Sequence, residues 1–204
     1  NFHRTYYHPS NSYIYLYGNM DMEEKLAFLD EHYLSHFDYL DVDSVIQEQK
    51  EFGACRDVTL EYPVAENEGE EDNTYLSYNM VVGNAADSQM AMAFEVLDYA
   101  LLSAPGAPLK QALLDVKAGK DVYGSYDEPY FTVIAKGSNP DRKEEFVSVI
   151  RQVLGDIVKN GIDKKAVEAG INYFEFRYRE ADFSSYPKGL MYSLDILGDW
   201  LYEK

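Results

Sequence analysis

The chain has 204 residues, 46% hydrophobic and 15% aromatic, enough to bury a core without disulfide or metal staples and too much for a disordered chain. Against 18 basic residues stand 36 acidic ones, a net charge of −18 that disfavours a phosphate backbone as partner, because nucleic-acid binding draws on clustered Lys and Arg. The same field attracts basic peptides or metal ions, or serves solubility alone.

In chain order, Tyr13, Tyr15 and Tyr17 alternate with Ile14 and Leu16, the period of a strand. Gly18-Asn19 breaks it, and a helix is predicted from about Glu23, with Leu26, Leu29, Tyr33 and Phe37 as its stripe. A lone strand cannot satisfy its ladder hydrogen bonds. Residues 1–40 therefore read as the C-terminal strand-helix part of a domain whose body lies upstream, and residues 41–72 as a linker ending in an acidic loop. That loop carries Glu66, Glu68, Glu70, Glu71 and Asp72, and such dense like charge predicts an exposed segment. The ligand spacing and glycine of an EF-hand are missing from it.

Residues 73–204 read as a second, more complete unit. Leu76, Tyr78, Met80 and Val82 mark a strand, Asp87 or Ser88 caps a helix, and Met90, Ala93, Phe94, Leu97 and Leu101 form its stripe. Pro105 and Pro108 break that helix, and a shorter one is expected from Leu109 to Asp115. Val122–Ser125 and Tyr130–Ala135 read as a hairpin joined by Tyr126, Asp127 and Glu128. Asn139 with Pro140 opens a strong helical stripe of Phe146, Val149, Ile150, Val153, Leu154 and Ile157, which Asn160-Gly161 ends. Asp163 caps a helix with Val167, Gly170, Ile171, Phe174 and Tyr178 on one face, and Pro187 opens a last one carrying Leu190, Leu194, Leu197 and Leu201. This order predicts an α+β fold, a mostly antiparallel sheet with helices packed on one face, preceded by a partial domain of the same kind.

Candidate chemistry is sparse. His32 and His36 are four apart on the first helix, a spacing that puts both on one side and within reach of one metal. A zinc peptidase also needs a Glu, as in H-x-x-E-H, and none lies between them. The expected role is two histidines near a helix C-terminus, where positive charge suits the dipole. His3 and His8 lie in a loop with no nucleophile nearby. Ser103 lacks a G-x-S-x-G setting, and Cys55 beside Arg56 has no histidine partner. Gly83, Gly106, Gly119 and Gly124 match neither phosphate-binding pattern. Glu175, Arg177, Arg179, Glu180 and Asp182 read as a solvated face. No catalytic, cofactor-binding or metal residue is expected within the chain.

A single cysteine excludes an internal disulfide and leans toward a reducing compartment. No run approaches the roughly 18–20 apolar residues of a membrane span. No membrane partner is expected, and the cytoplasm is the expected location. The chain opens on Asn1 rather than Met and shows no signal-peptide pattern; its true start is expected upstream.

Several stretches resemble the insulinase/pitrilysin superfamily of zinc peptidases. Tyr7-His8-Pro9-Ser10-Asn11, the Tyr13–Tyr17 strand and Gly18-Asn19-Met20-Asp21 look like the loop, strand and turn near the end of one of its domains. Leu101-Leu102 through Pro108-Leu109-Lys110-Gln111-Ala112-Leu113 looks like its recurring helix break. Gly161-Ile162-Asp163-Lys164-Lys165-Ala166, Asn172-Tyr173-Phe174-Glu175-Phe176-Arg177, Arg179-Glu180-Ala181-Asp182-Phe183 and Tyr186-Pro187-Lys188-Gly189-Leu190 resemble the presequence-protease branch. The Tyr126–Tyr130 connection is shorter than that branch implies, as though a few residues were missing.

The resemblance implies the end of a first, zinc-carrying domain followed by most of a second, non-catalytic one. The zinc ligands, an H-x-x-E-H pair and a later Glu, would lie outside this chain, and so would the family's substrate-binding Arg and Tyr. The implied parent is a zinc metalloendopeptidase that cuts unfolded peptides in an enclosed chamber. Its partners would be the remainder of its own polypeptide and peptide substrates, basic ones among them. The alternative is a zinc-less relative acting as a binding or assembly subunit, and a third reading makes the His32–His36 pair an active site of its own. Presequence degradation would move the location to the mitochondrial or plastid matrix.

Overall fold

The computed structural model describes residues 1–47, 50–83, 87–127, 129–180 and 183–201; Glu128, Ala181 and Asp182, named above, lie outside them. The chain forms two compact units: 61–182, and 1–60 together with 183–204. The grouping sets the last helix with the N-terminal segment, where the sequence pattern runs 73–204 as one stretch.

The unit 61–182 is built on a three-stranded antiparallel sheet of order β1-β3-β2, from β1 (Thr74–Val81), β2 (Asp121–Asp127) and β3 (Tyr130–Ser138). Val122↔Ala135 and Leu76↔Ala135 set one row of the register, Gly124↔Val133 and Tyr78↔Val133 the next, and Tyr126↔Phe131 and Met80↔Phe131 the third. These rows face inward, and Val122, Val133 and Ala135 are fully buried. The pairing runs on to Asp127↔Tyr130, so β2 extends past the expected end at Ser125 and takes in Tyr126 and Asp127. Helices α3 (Ser88–Asp98), α4 (Pro108–Asp115), α5 (Lys143–Asn160) and α6 (Lys164–Glu180) complete the unit. Leu109, Leu113, Phe146 and Ile150 from α4 and α5 close the core over the sheet. This is the α+β arrangement that the pattern implies.

Local chemistry explains the boundaries. The Asp87 carboxylate accepts from the Met90 N–H at 3.0 Å and caps α3. Pro108 opens α4, where a missing N–H costs nothing. Gly161, at φ +85°, ends α5 with its N–H on the Ile157 carbonyl at 2.8 Å. Asp163 accepts from the Lys165 N–H at 2.9 Å at the head of α6. Two expectations change. Helix α3 does not run on to Leu101 as an α-helix; Tyr99–Ser103 is a π-helical turn, with Leu101 and Leu102 buried. Asn139 makes no side-chain cap; its amide donates to Asp72 Oδ1 at 2.7 Å while its oxygen accepts from the Asp72 N–H at 2.8 Å.

That Asn139 clip, with Lys120 Nζ 3.2 Å from Asp72 Oδ2, pins the end of the acidic loop. Asn139, then Lys120, hold the Asp72 carboxyl below the usual carboxylate range. Its φ of +58° is a left-handed conformation that Asp tolerates. Upstream, Glu66, Glu68, Glu70 and Glu71 are exposed. Limited digestion with a Glu-specific protease is expected to cut first between residues 61 and 71, read by mass mapping. A first cut inside α5 would contradict this.

The other unit contains α1 (Phe2–Tyr6), α2 (Met22–His32) and α7 (Lys188–Leu201). The Asp21 carboxylate accepts from the Glu24 N–H at 3.1 Å and starts α2. The strand expected at Tyr13–Tyr17 does not form: no strand pairs with this segment among the described residues. It lies against α7 instead, Tyr15 Oη donating to the Gly189 carbonyl at 3.1 Å, the Tyr17 ring over Gly189 and Tyr13 beside Trp200. The expected stripe of α7 is only partly covered, Leu194 being 54% and Leu201 64% exposed. Among the described residues of this unit, Ser193 alone is buried.

Candidate functional site

The histidines do not converge. Helix α2 ends at His32; Tyr33, at φ −138° and ψ −67°, breaks it, and His36 sits in a separate 3-10 turn. The four-residue spacing that would set both on one helix face is therefore not realised. The His32 ring packs on Phe28 at 4.6 Å, and His3 stacks on Tyr7 at 4.3 Å. His8 Nδ1 accepts from the Ser10 N–H at 3.2 Å, and its ring meets the edge of Phe37. Among the described residues, no three His, Cys, Asp or Glu side chains stand close enough to hold a metal ion. The described residues therefore do not assemble the three-ligand set that a protein zinc site needs.

Cys55 is exposed, and the Arg56 guanidinium stacks on the Phe52 ring at 3.9 Å rather than serving the thiol. At the break between the π turn and α4, a cavity of about 270 Å³ is lined by Ser103, Pro105, Gly106, Lys110 and Gln111 among others. Its polar groups are engaged elsewhere: Lys110 Nζ is 3.2 Å from Asp121, and Gln111 donates to Asp115 at 2.7 Å. Ser103 Oγ donates to Asp98 Oδ2 at 3.0 Å, a carboxylate rather than the imidazole a nucleophilic serine uses. Glu175 and Arg179, in the charged run of α6, pair with each other at the surface at 2.5 Å.

What the unit 61–182 does present is one open sheet face. Opposite the buried rows lie Ser77–Ile134–Tyr123 and Asn79–Thr132–Ser125 across the three strands, with Tyr75 and Lys136 beyond. Lys136 Nζ sits 5.8 Å from the Tyr75 ring centre. Among the described side chains of this face only Asp121 and Lys136 are charged, so the acidic excess lies on the helices and loops. Such a face offers hydroxyls, an amide and aromatic rings, groups suited to an extended polypeptide of mixed sequence. Sequence reasoning passed over it because its polar positions read only as the solvent side of alternating strands. It passed over Gly124 of β2 too, where a Cβ would run into the Asp98 carboxylate, although a glycine inside a strand signals a close approach.

Residues 1–174 match the model of the Peptidase M16 inactive domain. The chain is 46% identical over 206 residues to "Protein HypA" of Clostridium perfringens, covering 99% of this chain and 21% of that protein. It is 32% identical over 210 residues to "Presequence protease 1, chloroplastic/mitochondrial" of Arabidopsis thaliana, covering 99% and 19%. It is 26% identical over 209 residues to "Presequence protease, mitochondrial" of Xenopus laevis, covering 99% and 20%. The chain thus spans about a fifth of the length of these relatives. As the resemblance to insulinase/pitrilysin peptidases implied, the chain belongs to the peptidase M16 family, in the part of it described as inactive.

Proposed function

We propose that this chain is the non-catalytic portion of a zinc metalloendopeptidase that degrades unfolded peptides in an enclosed chamber, with zinc and its ligands on other parts of the same polypeptide. The observation that carries this reading is the match of residues 1–174 to an inactive peptidase domain, in a chain whose described residues hold no metal-binding trio. The open face of the β1-β3-β2 sheet would then form part of the chamber wall. Its near-neutral, hydroxyl- and Tyr-bearing surface favours broad contact with unfolded chains over selection of basic ones. The Tyr13–Tyr17 segment, with the alternation of a strand and no strand paired to it among the described residues, supports the remainder of the polypeptide as the main partner. The bacterial relative at 46% identity supports the cytoplasm over an organelle matrix. No helix among the described residues is long and apolar enough to cross a membrane.

The test compares the full-length parent with this chain alone. The parent is expected to retain stoichiometric zinc after dialysis and to cleave a fluorogenic unfolded peptide until a chelator is added. The chain alone is expected to retain no zinc and to cleave nothing. Zinc on the chain alone that is lost in His32→Ala would restore that pair as a metal site. A parent free of zinc and inert toward peptides would favour the binding or assembly subunit.

A further inference from the structure

A carboxylate sits inside the helix–sheet contact of the unit 61–182. Asp98 is the last residue of α3, where the chain passes into the π turn Tyr99–Ser103. Its Oδ2 accepts from Ser103 Oγ at 3.0 Å, while its Oδ1 is buried with no hydrogen-bond partner. The space it occupies is opened by β2. Gly124 is the inward position between Val122 and Tyr126, and a Cβ there would run into Asp98 Oδ1 and the Leu102 side chain. An ionised carboxylate with one oxygen unsatisfied in such a contact is costly, whereas the neutral acid loses far less on burial. The π turn beside it carries one residue more per turn than an α-helix, and single π turns inside helices are frequent at functional positions.

We propose that Asp98 is a proton-operated latch: the uncharged carboxyl keeps the π turn seated on β2, and loss of its proton drives Oδ1 out of its contact with Gly124 and lifts the turn from β2. Nothing in the latch depends on whether the parent is a peptidase.

The surroundings fit this role. Burial pushes the Asp98 carboxyl above the usual aspartate range, and the Ser103 hydroxyl pulls it partway back. Among the described residues, no cation of the adjoining elements counts among the groups that set it. Tyr178 of α6 directs its hydroxyl at Glu95 of α3, 3.5 Å away. Tyr173 of α6 stacks on Tyr99 at 5.0 Å, and Tyr126 of β2 stacks on Phe94 at 5.5 Å. Because the seated carboxyl titrates above the released one, the closed state binds the proton more tightly. Its stability is complete below the ordinary aspartate range and is lost as pH rises through the seated value.

The experiment is amide hydrogen exchange at Leu101, Leu102 and Ser103 in the full-length parent, from about pH 4 to pH 8 and corrected for intrinsic chemistry. Opening of the turn is expected to become about tenfold more frequent for each unit by which the seated pKa exceeds the released one. Asp98→Asn, which copies the uncharged form, is expected to abolish that dependence and stay protected throughout. Ser103→Ala is expected to move the transition to higher pH, and it keeps the idea testable if Asp98→Asn fails to fold. A flat wild-type profile, an unchanged dependence in Asp98→Asn, or no shift in Ser103→Ala would each overturn the latch.

Discussion

Replacing Phe146 by alanine is expected to destabilise the unit 61–182 by about 3–5 kcal/mol, the range for emptying a large aromatic site in a packed core. Phe146 is 1% exposed and lies with Ile150 on the inner face of α5, over the sheet and beside Leu109 and Leu113 of α4. None of these residues is free to collapse into the space, because each is fixed by a strand or helix of its own. A loss of this size consumes a large share of the roughly 5–15 kcal/mol that holds a typical domain together. Urea denaturation followed by circular dichroism measures it as a lowered midpoint. Val158→Ala on the same helix is the control. Its side chain is 85% exposed, so the change is expected to stay within about 0.5 kcal/mol. Equal effects at the two positions would mean that α5 does not close the core.

Gly124→Ala is the second large effect, expected at about 1–3 kcal/mol of destabilisation from overpacking. Two contributions oppose each other. Ala restricts the unfolded chain, which by itself stabilises by about 0.4–1 kcal/mol. Against that, the added methyl meets the Asp98 carboxylate and the Leu102 side chain, and lies 3.2 Å from the Thr132 carbonyl of the neighbouring strand. Leu102 is 1% exposed and has nowhere to swing, so the collision decides the sign. The penalty is expected to shrink in an Asp98→Ala background, where one of the two obstacles is gone. Additive effects of the two substitutions, measured by the same denaturation, would place the carboxylate away from Gly124.

The part of this structure that the sequence discloses is the part ruled by local periodicity and end chemistry. The stripe through Phe146 and Ile150, the Asp87 and Asp163 caps and the Gly161 stop all depend on residues within a turn or two of each other. What stays hidden depends on partners far along the chain. Tyr13–Tyr17 has the alternation of a strand and no strand to pair with among the described residues. Asn139 has the look of a helix cap, yet its amide answers to Asp72, 67 residues earlier. His32 and His36 have a metal-like spacing that a single backbone break at Tyr33 undoes. The one-sided sheet is likewise legible as alternation, but its near-neutral outer face emerges only when the cross-strand register sets Ser77, Ile134 and Tyr123 in one row.

The division of the chain also bears on the order in which a ribosome could release a foldable product. Residues 61–182 are contiguous, so their core can close as soon as α6 emerges. The unit formed by 1–60 and 183–204 cannot, because its Tyr15–Gly189 contact spans 174 residues. Tyr15 must wait for Gly189 while the whole middle of the chain is made. Closing so long a loop costs little more than closing one half its length, about 0.6 kcal/mol per doubling. The burden is therefore one of time rather than energy: the contact between Tyr15 and α7 is among the last that these residues can make.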